Sequence, residues 1–408
     1  MEHLENWLLL LRTYTEVHFR HLEVPLYVFN YEVSYPPLVR YYIFFYIINA
    51  INLLSTITFV GLILLVIIGL LKKRPVPIEK YTPEKIVSIV TAHNEEESIG
   101  VVLDSLFDAN FDEVYLVADA CTDRTVEIAR EKGVNVIELD KHSKSKALNE
   151  AIPIIVDKVG EKSFYMFFDA GNYVPKDFLF RAIPFIKSYP IIQFRTRNAN
   201  FKTWVSRMFV IMSAFFFKIQ EALNNIGLSA ILSGFGWGAY GFVLKEYPYS
   251  CKSITDDFEY SLKVRYNIAY VSSVSIYDEK PEDFITSFKQ RLRWIRGYFY
   301  EMFFDIRSFK YKPYFLFLPL SFLLWVISIV VLLANFHIIT VVSSFVINSI
   351  LFFFTLDNND LNMVKFYDVL VFFFFNLTNL LVIFIALFTC RNTKWFRTPH
   401  KGIIATKV

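Results

Sequence analysis

The sequence predicts an α/β chain: a mostly parallel sheet with helices on its faces, fused to membrane-length apolar helices. Three observations lead there. Short β-rich runs alternate with helical ones between residues 86 and 139, the pattern of a sheet whose strands are joined by crossover helices. The composition, 54% hydrophobic with 44 Phe in 408 residues, is too apolar for an ordinary water-soluble domain of this length. Polar signatures fall at the carboxyl ends of the expected strands, where open sheets of this kind bind ligands.

Residues 1–40 read as an amphipathic N-terminal segment, because the apolar run 7–11 is too short to span and lacks a basic leader. Residues 41–71 carry no charged residue and suit one transmembrane helix of roughly 20 residues or more. A polar region, 72–310, follows. Its runs 86–91, 113–118 and 134–139 are expected strands, with helices at 95–107 and 124–132, and the apolar run 164–168 leads to Asp169. The stretch 204–223 fits either an in-plane interfacial helix or a buried core helix. Residues 311–390 then supply two to three transmembrane or re-entrant helices. The stretch 313–356 is long enough for two crossings with a turn near Asn335 and His337, and 369–390 is long enough for one.

Basic residues near the spans set orientation. Lys72-Lys73-Arg74 and Arg307, Lys310 and Lys312 place the polar region on the cytoplasmic side of an integral membrane protein. The basic tail 391–408 also reads as cytoplasmic, yet three crossings after residue 310 would put it outside. Either 313–356 contains a re-entrant or interfacial piece, or the tail departs from the charge rule. The net charge of +3 clusters at membrane edges, which argues against a nucleic-acid partner. Cys121, Cys251 and Cys390 have neither metal nor disulfide spacing.

Five signatures occur in order: His93-Asn94-Glu95-Glu96, Asp119, Asp169, Thr255-Asp256-Asp257 and Gln290-Arg291-Leu292-Arg293-Trp294. With Ser143-Lys144-Ser145-Lys146-Ala147-Leu148-Asn149 and Leu232-Ser233-Gly234-Phe235-Gly236, they resemble family 2 glycosyltransferases of GT-A fold over roughly 87–297. The nearest resemblance is to the membrane-integrated branch that includes cellulose, chitin, hyaluronan and poly-N-acetylglucosamine synthases. It implies a nucleotide site at His93, Asn94, Glu95, Asp119 and Lys144, with Lys144 near the diphosphate. It implies an acceptor site at Gln290, Arg293 and Trp294, and inverting transfer from a nucleotide sugar, UDP-linked by the same resemblance. The acceptor would be membrane-associated: a growing polysaccharide or a lipid carrier. Membrane lipids are further partners, and an oligomer would help enclose a polar chain.

The chemistry explains the residue types. Glycosyl transfer needs a base for the acceptor hydroxyl, and Asp257 is the candidate; a helix N-cap is the plain alternative for Thr255-Asp256-Asp257. The departing diphosphate calls for Mg²⁺ or Mn²⁺. Here the chain departs from the family pattern of Asp-x-Asp: it reads Asp169-Ala170-Gly171-Asn172, leaving Asp169 and Asn172 as the expected cation ligands. That departure also motivates a second reading, a degenerate nucleotide-sugar-binding or scaffolding protein. Arg291 and Arg296 are expected to face lipid headgroups or solvent. The tail segment 394–402 faintly resembles a gating loop, in which Thr398 and Lys401 would touch the nucleotide; a basic juxtamembrane tail is the plain alternative.

Overall fold

The computed structural model describes residues 77–334 and 352–392, with Val346, His400 and scattered positions between 27 and 72. The segment 1–26, the turn near Asn335 and His337, and Thr398 and Lys401 lie outside the described residues. The chain divides into two units, 1–50 and 51–408. In the first, β1 (Tyr27–Val28) pairs antiparallel with β2 (Tyr31–Glu32).

The second unit is built on an eight-stranded sheet of order β5-β4-β3-β6-β9-β8-β10-β7. β3 (Ile86–Ala92), β4 (Glu113–Asp119), β5 (Asn135–Leu139) and β6 (Phe164–Asp169) are parallel, as the alternating pattern predicts. Six of the eight strands run in one direction, as expected of a mostly parallel sheet, and two short strands run against them. β9 (Trp237–Tyr240) enters antiparallel between β6 and β8 (Ile191–Asn198), and β10 (Ala269–Asp278) pairs parallel with β8 and antiparallel with β7 (Asn172–Tyr173). β9 follows the turn at Gly234 and Gly236, both in the left-handed region, which the chain reaches after the helix Trp204–Asn225.

Helices cover both faces. α1 (Ile99–Asp108) buries Ile99, Val102, Leu103 and Leu106, the i, i+3, i+4, i+7 stripe of a surface helix. α2 is Thr125–Glu131. α3 (Lys144–Val159) starts at Ser143, whose hydroxyl accepts from the Lys146 N–H, and ends at Gly160. α4 (Phe178–Ile186) covers β8 and β10. α5 (Trp204–Asn225) is a core helix, resolving the two readings of that stretch: Met208, Phe209, Ile211 and Phe217 are buried against the sheet and a later apolar helix. α6 (Gly241–Glu246), α7 (Asp256–Lys263) and α8 (Phe284–Phe304) complete the domain.

Beyond α8 come α9 (Phe317–Ala334), the four-residue α10 (Asn358–Leu361) and α11 (Asp368–Thr389). Among the described residues α11 is the one helix long and apolar enough to cross a membrane. Described positions from 54 to 71 are helical, and Asn225 Nδ2 donates to the Gly69 carbonyl at 2.8 Å, fastening that helix to α5. Lys312 differs from its expected place at a membrane edge: it is buried, and its ammonium donates to the Ser261 carbonyl at 2.8 Å.

Ion pairs tie the C-terminal helices to the sheet. Arg195 and Arg197, side by side on β8, both meet Asp357 and Asp360, and Arg207 of α5 meets Asp368 at 2.7 Å. Buried guanidiniums persist only with such partners. Replacing Asp360 by Ala strips one carboxylate from both buried arginines and is expected to cost about 3 kcal/mol, the low end of the range for breaking a buried pair because Asp357 remains; chemical denaturation in detergent measures it.

Candidate active site

The site lies beyond the carboxyl ends of β3, β4, β5 and β6. The turns after the first three of these strands each place a non-glycine residue in the left-handed region: Asn94 (φ +56°), Ala120 (φ +52°) and His142 (φ +48°). Such strain persists where surrounding bonds over-determine it, and those bonds are present. Asn94 Oδ1 accepts from the Thr122 N–H at 2.7 Å, and the Glu95 N–H donates to Thr125 Oγ1 at 2.7 Å. The Glu96 N–H donates to Asp123 Oδ2 at 3.1 Å. His93 Nδ1 donates to the Asp119 carbonyl at 2.6 Å. The Asp119 carboxylate in turn accepts the backbone N–H groups of Lys141, His142 and Ser143 at 2.6–3.1 Å, which fixes the start of α3 and so the position of Lys144.

These turns open onto a cavity of about 1550 Å³. His93, Glu95, Asp119, Lys144, Asp169, Asp257, Gln290, Arg293 and Trp294 all line it. Asn94 is not among its lining residues; its side-chain oxygen accepts from the Thr122 N–H in the neighbouring turn.

Lys144 is the hub of the polar wall. Its ammonium donates to Asp169 Oδ1 at 2.5 Å and to the Gly234 carbonyl at 2.8 Å. Burial works against its charge, but Asp169, Asp256 and Asp257 outweigh that and hold its pKa above the usual lysine value. Asp169 Oδ1 also accepts from Thr91 Oγ1 at 3.0 Å. Asp256 and Asp257 open α7, where the helix dipole favours a carboxylate. Thr255 stands at the N-cap but its side chain makes no capping bond, so the plain cap reading does not account for the motif. The Asp256 carboxylate accepts from the Tyr249 hydroxyl at 2.8 Å. Burial, then the neighbouring Asp256 charge, pushes Asp257 up to about 7, against the opposing pull of Lys144 and Arg293.

α8 presents Gln290, Arg293 and Trp294 at i, i+3, i+4 to the cavity. Gly297, one turn on, lets the helix press on α7: a Cβ there would stand 2.0 Å from Thr255 Oγ1. That approach brings Arg293 within electrostatic reach of Asp169, Asp256 and Asp257, which oppose the lowering that burial imposes on its pKa. Arg291 differs from expectation. It is buried along the cavity wall, donates to Thr378 Oγ1 at 3.0 Å and to Asn379 Oδ1, and stacks 3.9 Å from the Phe375 ring centroid. Arg296 likewise donates to Thr389 Oγ1 at 2.9 Å.

The candidate cation residues part company. Asp169 faces the cavity, whereas Asn172 is fully buried beneath the turn. Asn172 Oδ1 accepts the Asp169 N–H at 2.6 Å and its amide donates to Asp278 Oδ1 at 2.7 Å, so it shapes the turn instead of presenting a ligand. The space over Gly171 holds the imidazole of His400, whose Nδ1 lies 3.3 Å from Glu95 Oε2; a Cβ on Gly171 would come within 2.4 Å of that ring. Burial lowers the His400 pKa, but Glu95, Asp278 and Asp169 reverse this and raise it overall. Asp278, at the end of β10, pairs with Lys280 and is raised by burial. His400, Asp278 and Lys280 were not legible as site residues. Asp278-Glu279-Lys280 does carry a faint signal, charge directly after a β-run, while His400 falls in the segment 394–402, whose faint gating-loop resemblance pointed to Thr398 and Lys401 and not to His400.

The family described as glycosyltransferase-like family 2 matches residues 83–297, more than half of the 408-residue chain. The chain belongs to that family. Its α/β domain is thus that of a nucleotide-sugar transferase. Among solved structures, the mannosyltransferase PcManGT from Pyrobaculum calidifontis, in complex with GDP-Man and Mn²⁺, matches with a TM-score of 0.60 at 17% identity, over 85% of this chain and 100% of that one. At that identity the likeness establishes the shared fold. Glucosyl-3-phosphoglycerate synthase from Mycobacterium tuberculosis, with Mn²⁺ and UDP, matches at 17% identity over 48% of this chain and 73% of its own, with a TM-score of 0.36. S. aureus TarS 1–349 matches at 17% identity over 77% and 93%, with a TM-score of 0.34. No curated protein matches the sequence significantly.

The contact between Gly171 and His400 yields a double-mutant prediction. Gly171→Ala pushes the imidazole aside and weakens nucleotide affinity several-fold, whereas in a His400→Ala background the same change is close to neutral; calorimetric titration with UDP and GDP measures the coupling.

Proposed function

We propose that the protein is an inverting glycosyltransferase that moves a sugar from a nucleoside-diphosphate donor to a membrane-associated acceptor, with its catalytic domain on the cytoplasmic face. The observation that carries this reading is Asp257: a carboxylate with a pKa near 7 shares one cavity with Lys144 and Arg293. A base poised at the working pH beside cations for a leaving diphosphate is what glycosyl transfer requires.

Asp257 accepts the proton of the acceptor hydroxyl as its oxygen bonds to the anomeric carbon from the face opposite the nucleotide. The anomeric C–O bond breaks, its electron pair leaves with the diphosphate, and the configuration inverts. Lys144 and Arg293 lie where they offset that developing charge. His93, Glu95 and the turn ordered by Asp119 bound the nucleotide end, while Gln290 and Trp294 receive the acceptor sugar, Trp294 by stacking. The cavity continues between α5, α9 and α11 past Phe216, Phe322 and Trp325 to Asn376 and Asn379. Aromatic faces with amides suit a saccharide chain or the sugar of a lipid carrier.

The residues also fit a divalent cation in a limited form. No group of three or more His, Cys, Asp or Glu is arranged to hold a metal among the described residues. Mg²⁺ and Mn²⁺, however, are commonly held by one or two protein groups together with substrate phosphates. Asp169 would hold the ion, with the His400 imidazole as the neighbouring donor over Gly171. Such an ion supplies charge neutralisation on the diphosphate.

The test is nucleotide release by the purified protein from a panel of UDP- and GDP-sugars, with Mn²⁺, Mg²⁺ or chelator. One donor should turn over, and Asp257→Asn should lower kcat by about 10²–10⁴. Nucleotide binding with no turnover of any donor would establish instead the degenerate binding protein that Gly171 motivates. The pH profile is a separate check. Because Asp257 must be deprotonated to act, kcat/KM should fall as pH drops below about 7 and level off above it. Asp256→Asn removes the repulsion that raises Asp257, so the acid limb should move to lower pH.

A further inference from the structure

α8 brings two arginines to the cavity wall, and their surroundings differ. Arg293 has Asp169, Asp256 and Asp257 within electrostatic reach. Arg291 is 2% exposed and meets no carboxylate among the described residues. Its Nε donates to the Ser287 carbonyl at 3.3 Å and its Nη1 to Thr378 Oγ1 at 3.0 Å and to Asn379 Oδ1, with the Phe375 ring against the guanidinium. Nη2, which carries two of the five donors of the group, is buried without an acceptor among the described residues. Burial, with no carboxylate to oppose it, pulls the Arg291 pKa down to about 9.

The other buried arginines show what Arg291 lacks. Arg195 and Arg197 meet Asp357 and Asp360, and Arg207 meets Asp368. Beside Arg291 stands Asn379, which has the shape of an aspartate without its charge and whose Nδ2 is committed to Asn376 Oδ1 at 3.1 Å. A buried guanidinium without a counter-charge is costly, and neutral amides with an aromatic face offset only part of that cost. Asn376 and Asn379 also line the cavity, in the arm walled largely by Phe216, Phe322, Trp325, Ile329, Val382 and Ile383. Among the described residues no Asp or Glu of α5, α9 or α11 lines that arm. Arg291 precedes Trp294 by three residues, so less than one turn of α8 separates the guanidinium from the ring that receives the acceptor sugar.

We infer that Arg291 is an anion subsite in this arm of the cavity, and that the acceptor is a sugar joined through phosphate to a lipid chain. The phosphate accepts from Nη2 and supplies the counter-charge that Asn379 withholds. The lipid chain lies along the apolar wall, and the sugar reaches Trp294 and Asp257. An uncharged polysaccharide leaves the guanidinium uncompensated. An acidic glycan compensates it but sets polar surface against Ile329, Val382 and Ile383. The inference rests on the proposed glycosyl transfer at Asp257 for the place of the sugar, and it is independent of the donor.

Thermal unfolding of the full chain in phosphatidylcholine nanodiscs carrying farnesyl phosphate or farnesol reads the subsite, because a bound ligand raises Tm according to its affinity. Farnesyl phosphate has the chain and the anion but no sugar, so the measurement needs neither donor nor turnover. Its apparent affinity should exceed that of farnesol by about tenfold or more. Arg291→Gln should erase this preference, and Arg291→Lys, which keeps the charge, should retain part of it. Asn379→Asp supplies the counter-charge from within the protein, so it should erase the preference without lowering the Tm of the ligand-free chain. If Arg291 serves only to fasten α8 to α11, Asn379→Asp strengthens that contact and the preference survives, which overturns the inference. Equal affinity of the wild type for the two probes overturns it as well. Inorganic phosphate or a glucuronate oligosaccharide that stabilises the wild type as well as farnesyl phosphate does would overturn the lipid-linked acceptor. Absence of turnover with every donor, beside an intact preference for farnesyl phosphate, would sink the glycosyltransferase reading and leave the subsite standing.

Discussion

Carboxylates and cations share the wall of one cavity, and neither set would be tolerable there without the other. Asp169, Asp256, Asp257 and Asp278 come from three different segments, Lys144 and Arg293 from two more, and Lys280 follows Asp278 directly after β10. Isolated charges at such depth would neutralise themselves, so the network holds only while β6, α3, α7, β10 and α8 all dock together. The catalytic domain and its charge balance are in this sense one structure. The imbalance that remains is useful, because burial of Asp257 and then repulsion from Asp256 leave a carboxylate able to exchange a proton near neutrality.

A second layer of buried charge does different work. Arg195, Arg197 and Arg207 reach away from the cavity to Asp357, Asp360 and Asp368, while Arg291 reaches to Thr378 and Asn379. These contacts bind the apolar helices to the α/β domain at defined points, so that the wall of the cavity is partly catalytic domain and partly apolar helix. An acceptor entering between α5, α9 and α11 would meet Trp294 and Asp257 without leaving the protein.

The pair Gly171 and His400 shows how a missing side chain can be answered from elsewhere in the chain. The usual second aspartate is absent, and the room it would need is occupied by an imidazole from the C-terminal segment. The donor cavity is therefore completed only when that segment returns to it, which makes the course of α11 and the chemistry of the site parts of the same question.

Much of the architecture was legible in the residues. The strands β3 to β6, the polar turns at their ends, the Asp257 helix start and the Gln290-Arg293-Trp294 face all follow from local pattern, since period, turn chemistry and i, i+3, i+4 spacing are written in short stretches. What local pattern could not determine was which lone pairs remain for a ligand. Asn94 and Asn172 look like ligand residues in sequence and Arg291 like a headgroup or solvent contact, yet folding commits them to a turn, to Asp278 and to α11. The parallel or antiparallel entry of β9, the placing of His400 and the burial of Lys312 were equally out of reach, because each depends on a partner far along the chain. Composition established that α11 is apolar enough for lipid; only the tertiary structure decided that Asp368, Thr378, Asn379 and Thr389 fasten it to α5 and α8, because those bonds join residues far apart in the chain.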